Sequence, residues 1–210
     1  MLEITNVKVY DLKESVIASG NAMRLEPVEY TEKEFQKGLI RMQRLVHASN
    51  KTEVHCHDNA LTGIRVSFDI KYPQYWTPEF QRYHFADIVT SSSKMHKLLK
   101  MNIDKACNEY VTQEIKDSLK KYINEYNSIE VLEVSKDGGV SASTKYKAWM
   151  KVLSNTPLGL ELFMRVSTNY KQLQTIYYQR KNHRLKEDWG AFIKFIEELP
   201  YFKQLILGES

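Results

Sequence analysis

Residues 64–95 read IRVSFDIKYPQYWTPEFQRYHFADIVTSSSKM, and this stretch decides the fold class. Ile64, Val66, Phe68 and Ile70 alternate with Arg65, Ser67, Asp69 and Lys71. A period of two with apolar residues on one side is a strand with one buried face. Pro73 ends it. Thr77-Pro78-Glu79 then reads as a helix start, with Thr as N-cap and Pro at the first helical position. The serines at 91–93 interrupt the chain before a helical stretch carrying Met95, Leu98 and Leu99. A strand followed so closely by helical segments predicts mixed α and β content.

Upstream, Val7 and Val9 alternate with polar neighbours as a short strand would. Residues 15–27 carry no clear period. Thr31-Glu32-Lys33-Glu34 is a capping-box pattern, followed at helical spacing by Phe35, Leu39, Met42 and Val46. Asn50-Lys51-Thr52 is expected to break that helix. Downstream, a long charged helix is predicted over 104–127, with Cys107, Tyr110, Ile115, Leu119 and Tyr122 inward. Gly138-Gly139 and the serine-rich stretch to Thr144 read as an exposed turn. A helix over 145–153 and Pro157 precede a second alternating strand of Leu160, Leu162, Met164 and Val166. Two helices close the chain, one with Leu173, Ile176, Tyr177 and Arg180, the other with Trp189, Phe192, Ile193 and Ile196. With no internal repeat or long linker, one domain over 1–210 is expected, of the α+β class.

The chain has 210 residues, enough for a continuous core, with 42% apolar and 27% charged residues. That is globular composition. A net charge of +4 without a basic stripe argues against a nucleic-acid surface. No apolar run approaches bilayer length, no signal peptide is visible, and two cysteines make no disulfide framework. A cytoplasmic protein is the expectation. The 13 tyrosines suit half-buried sites where the ring packs and the hydroxyl finds a partner.

His55-Cys56-His57 gathers soft ligands, but zinc wants four and nothing nearby supplies the rest, so no metal is expected. Nucleophile elbows and phosphate loops of the common kinds are absent. The segment from Trp76 to Met95 is more informative. Arg82, His84, Lys94 and a serine run stand within it, and such groups can neutralise and hydrogen-bond a phosphate. A solvated helix end with a polar loop would have the same composition.

Taken together these pieces resemble the flavin-dependent thymidylate synthases, the ThyX family. That family's signature runs Arg-His-Arg, two residues, Ser, two residues, Glu, one residue, Ser, one residue, Arg-Tyr. Arg82 falls on its first arginine, Ser92 on its later serine and Lys94 on its closing arginine. His57 lies where the family has a histidine near the flavin, before a strand ending Lys71-Tyr72-Pro73. Pro157, the second strand, Asn169 and Arg180 follow in the family's order and with similar spacing. Ala22-Met23-Arg24 and the ending with Trp189 and Leu199-Pro200 also match. The chain departs from the signature at Tyr83, His84, Asp87, Thr90 and Met95, and Lys171 stands where many members have Arg.

The resemblance implies a ThyX-like fold with a small, largely antiparallel sheet flanked by long helices. It implies reductive methylation of dUMP, with FAD as redox cofactor, NADPH as reductant and methylene-tetrahydrofolate as carbon donor. Arg180 would be catalytic, stabilising negative charge on the uracil at N3. Arg82, Ser92 and Lys94 would bind substrate phosphate, and His57, His84, Asn169 and Lys171 would bind the flavin. The family assembles as a homotetramer with its sites between subunits. The departures leave two alternatives open: a related pyrimidine nucleotide as substrate, or a non-catalytic oligomeric scaffold that has lost the site.

Overall fold

The computed structural model describes residues 2–51, 57–129 and 144–209. The expected glycine-serine turn and the His55-Cys56 pair lie outside the described residues. The order of elements is β1 (Glu3–Tyr10), α1 (Leu12–Ala18), α2 (Glu32–Lys51), β2 (Arg65–Pro73), α3 (Thr77–Phe80), β3 (Asp87–Ser91), α4 (Lys94–Lys97), α5 (Ile103–Ala106), α6 (Gln113–Ser128), α7 (Thr144–Ser154), β4 (Glu161–Asn169), α8 (Tyr170–Arg180) and α9 (Lys186–Glu197). The strands form a small sheet in the order β1-β2-β4-β3. β1 pairs antiparallel with β2, Glu3 opposite Lys71 and Tyr10 opposite Arg65. Tyr170 N–H bonds Ile64 O and Gln74 N–H bonds Leu160 O, so β4 runs antiparallel to β2. The fold is α+β.

The chain divides into two compact units. The first comprises Met1–Lys71, Glu79–Thr90 and Met164–Ser210. Its core follows the periods of the sequence. Val66, Phe68 and Ile70 of β2 are buried, as are Met164 and Val166 of β4. Phe68 meets Phe195 and Phe192 of α9 with ring centroids 4.8 and 5.8 Å apart, and Phe80 stands 5.8 Å from Phe192. The α2 helix begins as its capping pattern demands: Glu34 N–H donates to Thr31 Oγ1 at 3.3 Å. Phe35, Leu39, Met42 and Val46 all turn inward. Gly38 lets α1 approach, because a Cβ there would stand 2.7 Å from the Val16 carbonyl oxygen. Arg24 and Arg41 both donate to Ile17 O, satisfying a carbonyl at the end of α1.

β1 is less regular than its alternation predicts. Thr5 faces Asp69 while Lys8 faces Ser67, so an extra residue bulges, with Asn6 at φ 50°. Asn tolerates this left-handed conformation better than most residues. The bulge is tied down by Asn6 Nδ2 donating to Asp69 (2.6 Å) and Arg165 donating to Asn6 O (3.0 Å).

The second unit comprises Tyr72–Pro78 and Ser91–Phe163. The single helix expected over 104–127 is two helices. Cys107 leaves α5 in extended conformation and forms a β-bridge with Leu160, and Asn108 N–H bonds Gly159 O at 2.9 Å. The backbone thereby finds partners that helical continuation would have supplied. The inward face of α6 is Leu119 and Ile123, whereas Tyr110 and Ile115 are exposed. Lys151 of α7 bridges to Glu125 of α6 at 2.8 Å and lies 4.3 Å over the Tyr122 ring. Pro78 lies inside the one-turn α3, which continues a 3₁₀ turn over Gln74–Trp76. Asp87–Ser91 is a strand the sequence reading did not anticipate. Among the described residues no helix is long and apolar enough to cross a membrane.

Candidate functional site

The first unit holds a cleft of about 340 Å³ between the loop after α3 and one face of α8. Arg82, Tyr83, His84 and Phe85 line one side; Gln172, Thr175, Gln179 and Arg180 line the other. The helical residues are spaced i, i+3, i+7 and i+8, the stripe one helix face presents. α8 starts where Asn169 Oδ1 accepts from Gln172 N–H at 2.9 Å, an N-cap bond. The facing loop is clamped on both backbone groups of Phe85. Its N–H donates to Gln172 Oε1 (3.3 Å), and its carbonyl accepts from Thr168 Oγ1 (2.8 Å).

Arg180 ends α8 in a dense set of contacts. Its Nε donates to Tyr83 Oη at 2.7 Å, and its Nη1 lies 3.4 Å from Glu79 Oε2. The guanidinium carbon sits 4.9 Å over the Trp189 ring and 5.7 Å from the Tyr83 ring, within cation–π range. Tyr83 in turn donates to Gln179 Oε1 at 3.1 Å. Burial pushes the Tyr83 phenol up against the opposing pull of Arg180, so it stays protonated and able to donate.

The residues expected from the resemblance fall into distinct places. Arg82, His84 and Arg180 are brought to the one cleft. Asn169 caps the same α8 and Lys171 stands on its first turn, each with a partner in the chain. Asn169 is the buried cap, and the ammonium of Lys171 pairs with the buried carboxylate of Asp58 and reaches Gln174 Oε1 at 3.3 Å. His57 is exposed, next to Asp58. Ser92 and Lys94 belong to the second unit. There Ser92 exchanges bonds with the Phe163 backbone, accepting at Oγ (3.1 Å) and donating from N–H (2.8 Å). Lys94 donates to Gln74 Oε1, whose own amide donates to Pro157 O.

Glu79, Tyr83, Gln172, Thr175 and Gln179 are additions that the sequence reading missed. The polar stripe of Gln172, Thr175 and Gln179 on a helix with Leu173 and Ile176 inside was the available signal. Nothing local marks Glu79, whose partners come from a distant part of the chain.

Chemically the cleft offers N–H donors from arginine and glutamine, with exposed His84 and Phe85 rings beside them. That combination suits a flat heteroaromatic ring bearing carbonyl acceptors. Its volume is at the small end of the ~300–1,000 Å³ typical of ligand pockets, room for part of a dinucleotide and not the whole.

No protein-family model matches the sequence, and no curated protein matches it. Solved structures do. The chain is similar to the flavin-dependent thymidylate synthase ThyX of Helicobacter pylori complexed with FAD and dUMP, with TM-score 0.66 and 14% identity over 97% of each chain. A second structure of that enzyme with FAD and dUMP gives TM-score 0.66 and 14% identity over 98% of this chain and 97% of the other. At that identity the likeness establishes the fold.

Proposed function

We propose that this chain is a divergent flavin-dependent thymidylate synthase, methylating dUMP with methylene-tetrahydrofolate and NADPH through FAD. The observation that carries the reading is the meeting of Arg82, His84 and Arg180 in one cleft, on a fold shared with an enzyme that holds FAD and dUMP. When bound, FAD supplies the hydride chemistry that no side chain has.

The chain's own residues bind and orient. Arg180, braced by Tyr83 and Glu79, donates to the carbonyl edge of the pyrimidine and favours electron density there as the ring becomes nucleophilic. Its bracing fixes the donor direction before the ligand arrives, which lowers the ordering cost of binding. Arg82, exposed beside it, can take a phosphate in a bidentate fork. His84 and Phe85 give stacking surfaces for the flat rings, and His57, Asn169 and Lys171 complete the flavin side. A homotetramer would supply the remaining walls that the small cleft of one chain lacks. A single domain over 1–210 and a cytoplasmic setting belong to this reading.

A second reading has support in Asp87, whose carboxylate is exposed at the start of β3, five residues after Arg82. With Thr90 and His84, that carboxylate reshapes which ring substituents the pocket accepts, and a different pyrimidine nucleotide is then the substrate. The test is an absorbance spectrum of the purified protein with and without FAD, followed by conversion of dUMP to dTMP with NADPH and methylene-tetrahydrofolate. Stoichiometric flavin and turnover support the first reading. Flavin with turnover of another pyrimidine monophosphate only would favour the second. A protein that takes up neither flavin nor nucleotide is a scaffold on this fold.

A further inference from the structure

Glu79 is a cleft-side residue that the expected site does not use. It stands on α3 just before the loop that forms one wall. Its Oε2 accepts from Trp189 Nε1 at 2.9 Å and lies 3.4 Å from both Arg180 Nη1 and His183 Nε2. The imidazole of His183 accepts from Leu185 N–H at Nδ1 (3.1 Å), so in the neutral ring the proton resides on Nε2 and faces Glu79. The carboxylate is thus seated among donors, and the cation it compensates is Arg180. With Nε on Tyr83, Nη1 beside Glu79 and Trp189 over the plane, the guanidinium has little freedom to turn. Its side chain is 16% exposed and that of Glu79 31%, so the pair is partly shielded from solvent. Next to it, the Oε1 of Gln179 is already used by Tyr83, and what that amide offers outward is N–H.

We propose that Glu79 sets the charge selectivity of the cleft: compensated by it, Arg180 serves as a hydrogen-bond donor to a carbonyl-bearing ring and not as a seat for a phosphate. The inference rests on reading this cleft as the nucleotide site, and it assigns the base, not the phosphate, to the Arg180 end. Tyr83 and Gln179 share the task by orienting the donors, while Glu79 compensates the charge.

The experiment measures inorganic phosphate binding by calorimetry to the wild-type protein, E79Q and E79Q/R180Q. Glutamine keeps an oxygen for Trp189 while removing the charge. E79Q is expected to bind phosphate about tenfold or more tightly than wild type, the size of one charge-assisted hydrogen bond made available. The double variant is expected to lose that gain. Equal phosphate affinity in wild type and E79Q, or a gain that survives loss of Arg180, overturns the proposal. Should E79Q not fold, E79Q/R180Q against wild type decides: unchanged phosphate affinity supports a compensated Arg180, and a clear loss overturns it. Titrations with dUMP and deoxyuridine run beside these separate the two readings. If no variant binds either while E79Q gains phosphate through Arg180, Glu79 has its assigned role and the nucleotide reading falls.

Discussion

Replacing Tyr83 by Phe removes one oxygen from the wall of the cleft and leaves its packing in place. That oxygen accepts from Arg180 Nε at 2.7 Å and donates its hydrogen to Gln179 Oε1 at 3.1 Å. A hydrogen bond to a charged group contributes about 1.5–3 kcal/mol net, and a neutral one about 0.5–1.5 kcal/mol. Gln179 is exposed, so water replaces most of what it loses. Arg180 is largely buried, and its Nε–H is left poorly solvated. The sum is about 2 kcal/mol. At this chain length each kcal/mol moves Tm by about 2–4 °C, giving an expected fall of about 4–8 °C. Thermal and urea unfolding followed by tryptophan fluorescence measure it, and the urea slope should be unchanged. A double-mutant cycle with R180Q should show coupling of about 1–2 kcal/mol. A Tm within about 1 °C of wild type and no coupling would refute the claim that this hydroxyl braces the guanidinium.

Other perturbations follow from the same structure. Lys171→Met leaves Asp58, only 1% exposed, without its cation, and should cost about 3 kcal/mol in urea unfolding. The double variant D58N/K171M should recover most of that, and a double no more stable than K171M would contradict a paired buried charge. Gly38→Ala gains helix propensity of about 1 kcal/mol, yet its methyl would meet the Val16 carbonyl oxygen at 2.7 Å. Net destabilisation of about 1–2 kcal/mol is expected from such overpacking, and a more stable variant would show that α1 is free to move aside. The phenol of Tyr177 is pushed up to about 12, chiefly by burial and further by its bond to Glu197; burial raises Tyr170 as well. Unfolded tyrosine titrates near ~10, so this stability is complete below that pH and is lost as pH rises through about 12. Urea midpoints should hold steady to about pH 10 and fall above it, with a shallower fall in Y177F.

Much of the fold was legible because its longest elements carry unbroken periods. β2 and β4 alternate, and α2, α8 and α9 repeat at helical spacing, each against a core that rewards the pattern. β3 was not legible: Asp87, Val89, Thr90 and Ser91 are all exposed, so no buried face imprinted an alternation. The break at Cys107 was hidden for another reason. Its helical neighbours continue the period, and the competing partner, Leu160, lies far along the chain. The site divides in the same way. Arg82 could be placed on a signature arginine, His84 at a signature position it changes, and Arg180 by the order of the elements before it, whereas Glu79 owes its importance to Trp189, 110 residues away. A carboxylate at the end of a one-turn helix looks like an ordinary surface charge until its partners are known.

The bulge at Asn6 has a consequence for how this protein behaves in concentrated solution. β1 is an edge strand, and a straight edge offers its unpaired N–H and C=O groups as a template for strands of other molecules. Asn6 turns the backbone out of register between Thr5 and Lys8, and Asp69 and Arg165 hold it there from the neighbouring strands. An incoming strand can match only a few residues before its ladder fails. The same irregularity that spoils the alternation of the sequence thus acts as a built-in guard against fibre growth and precipitation.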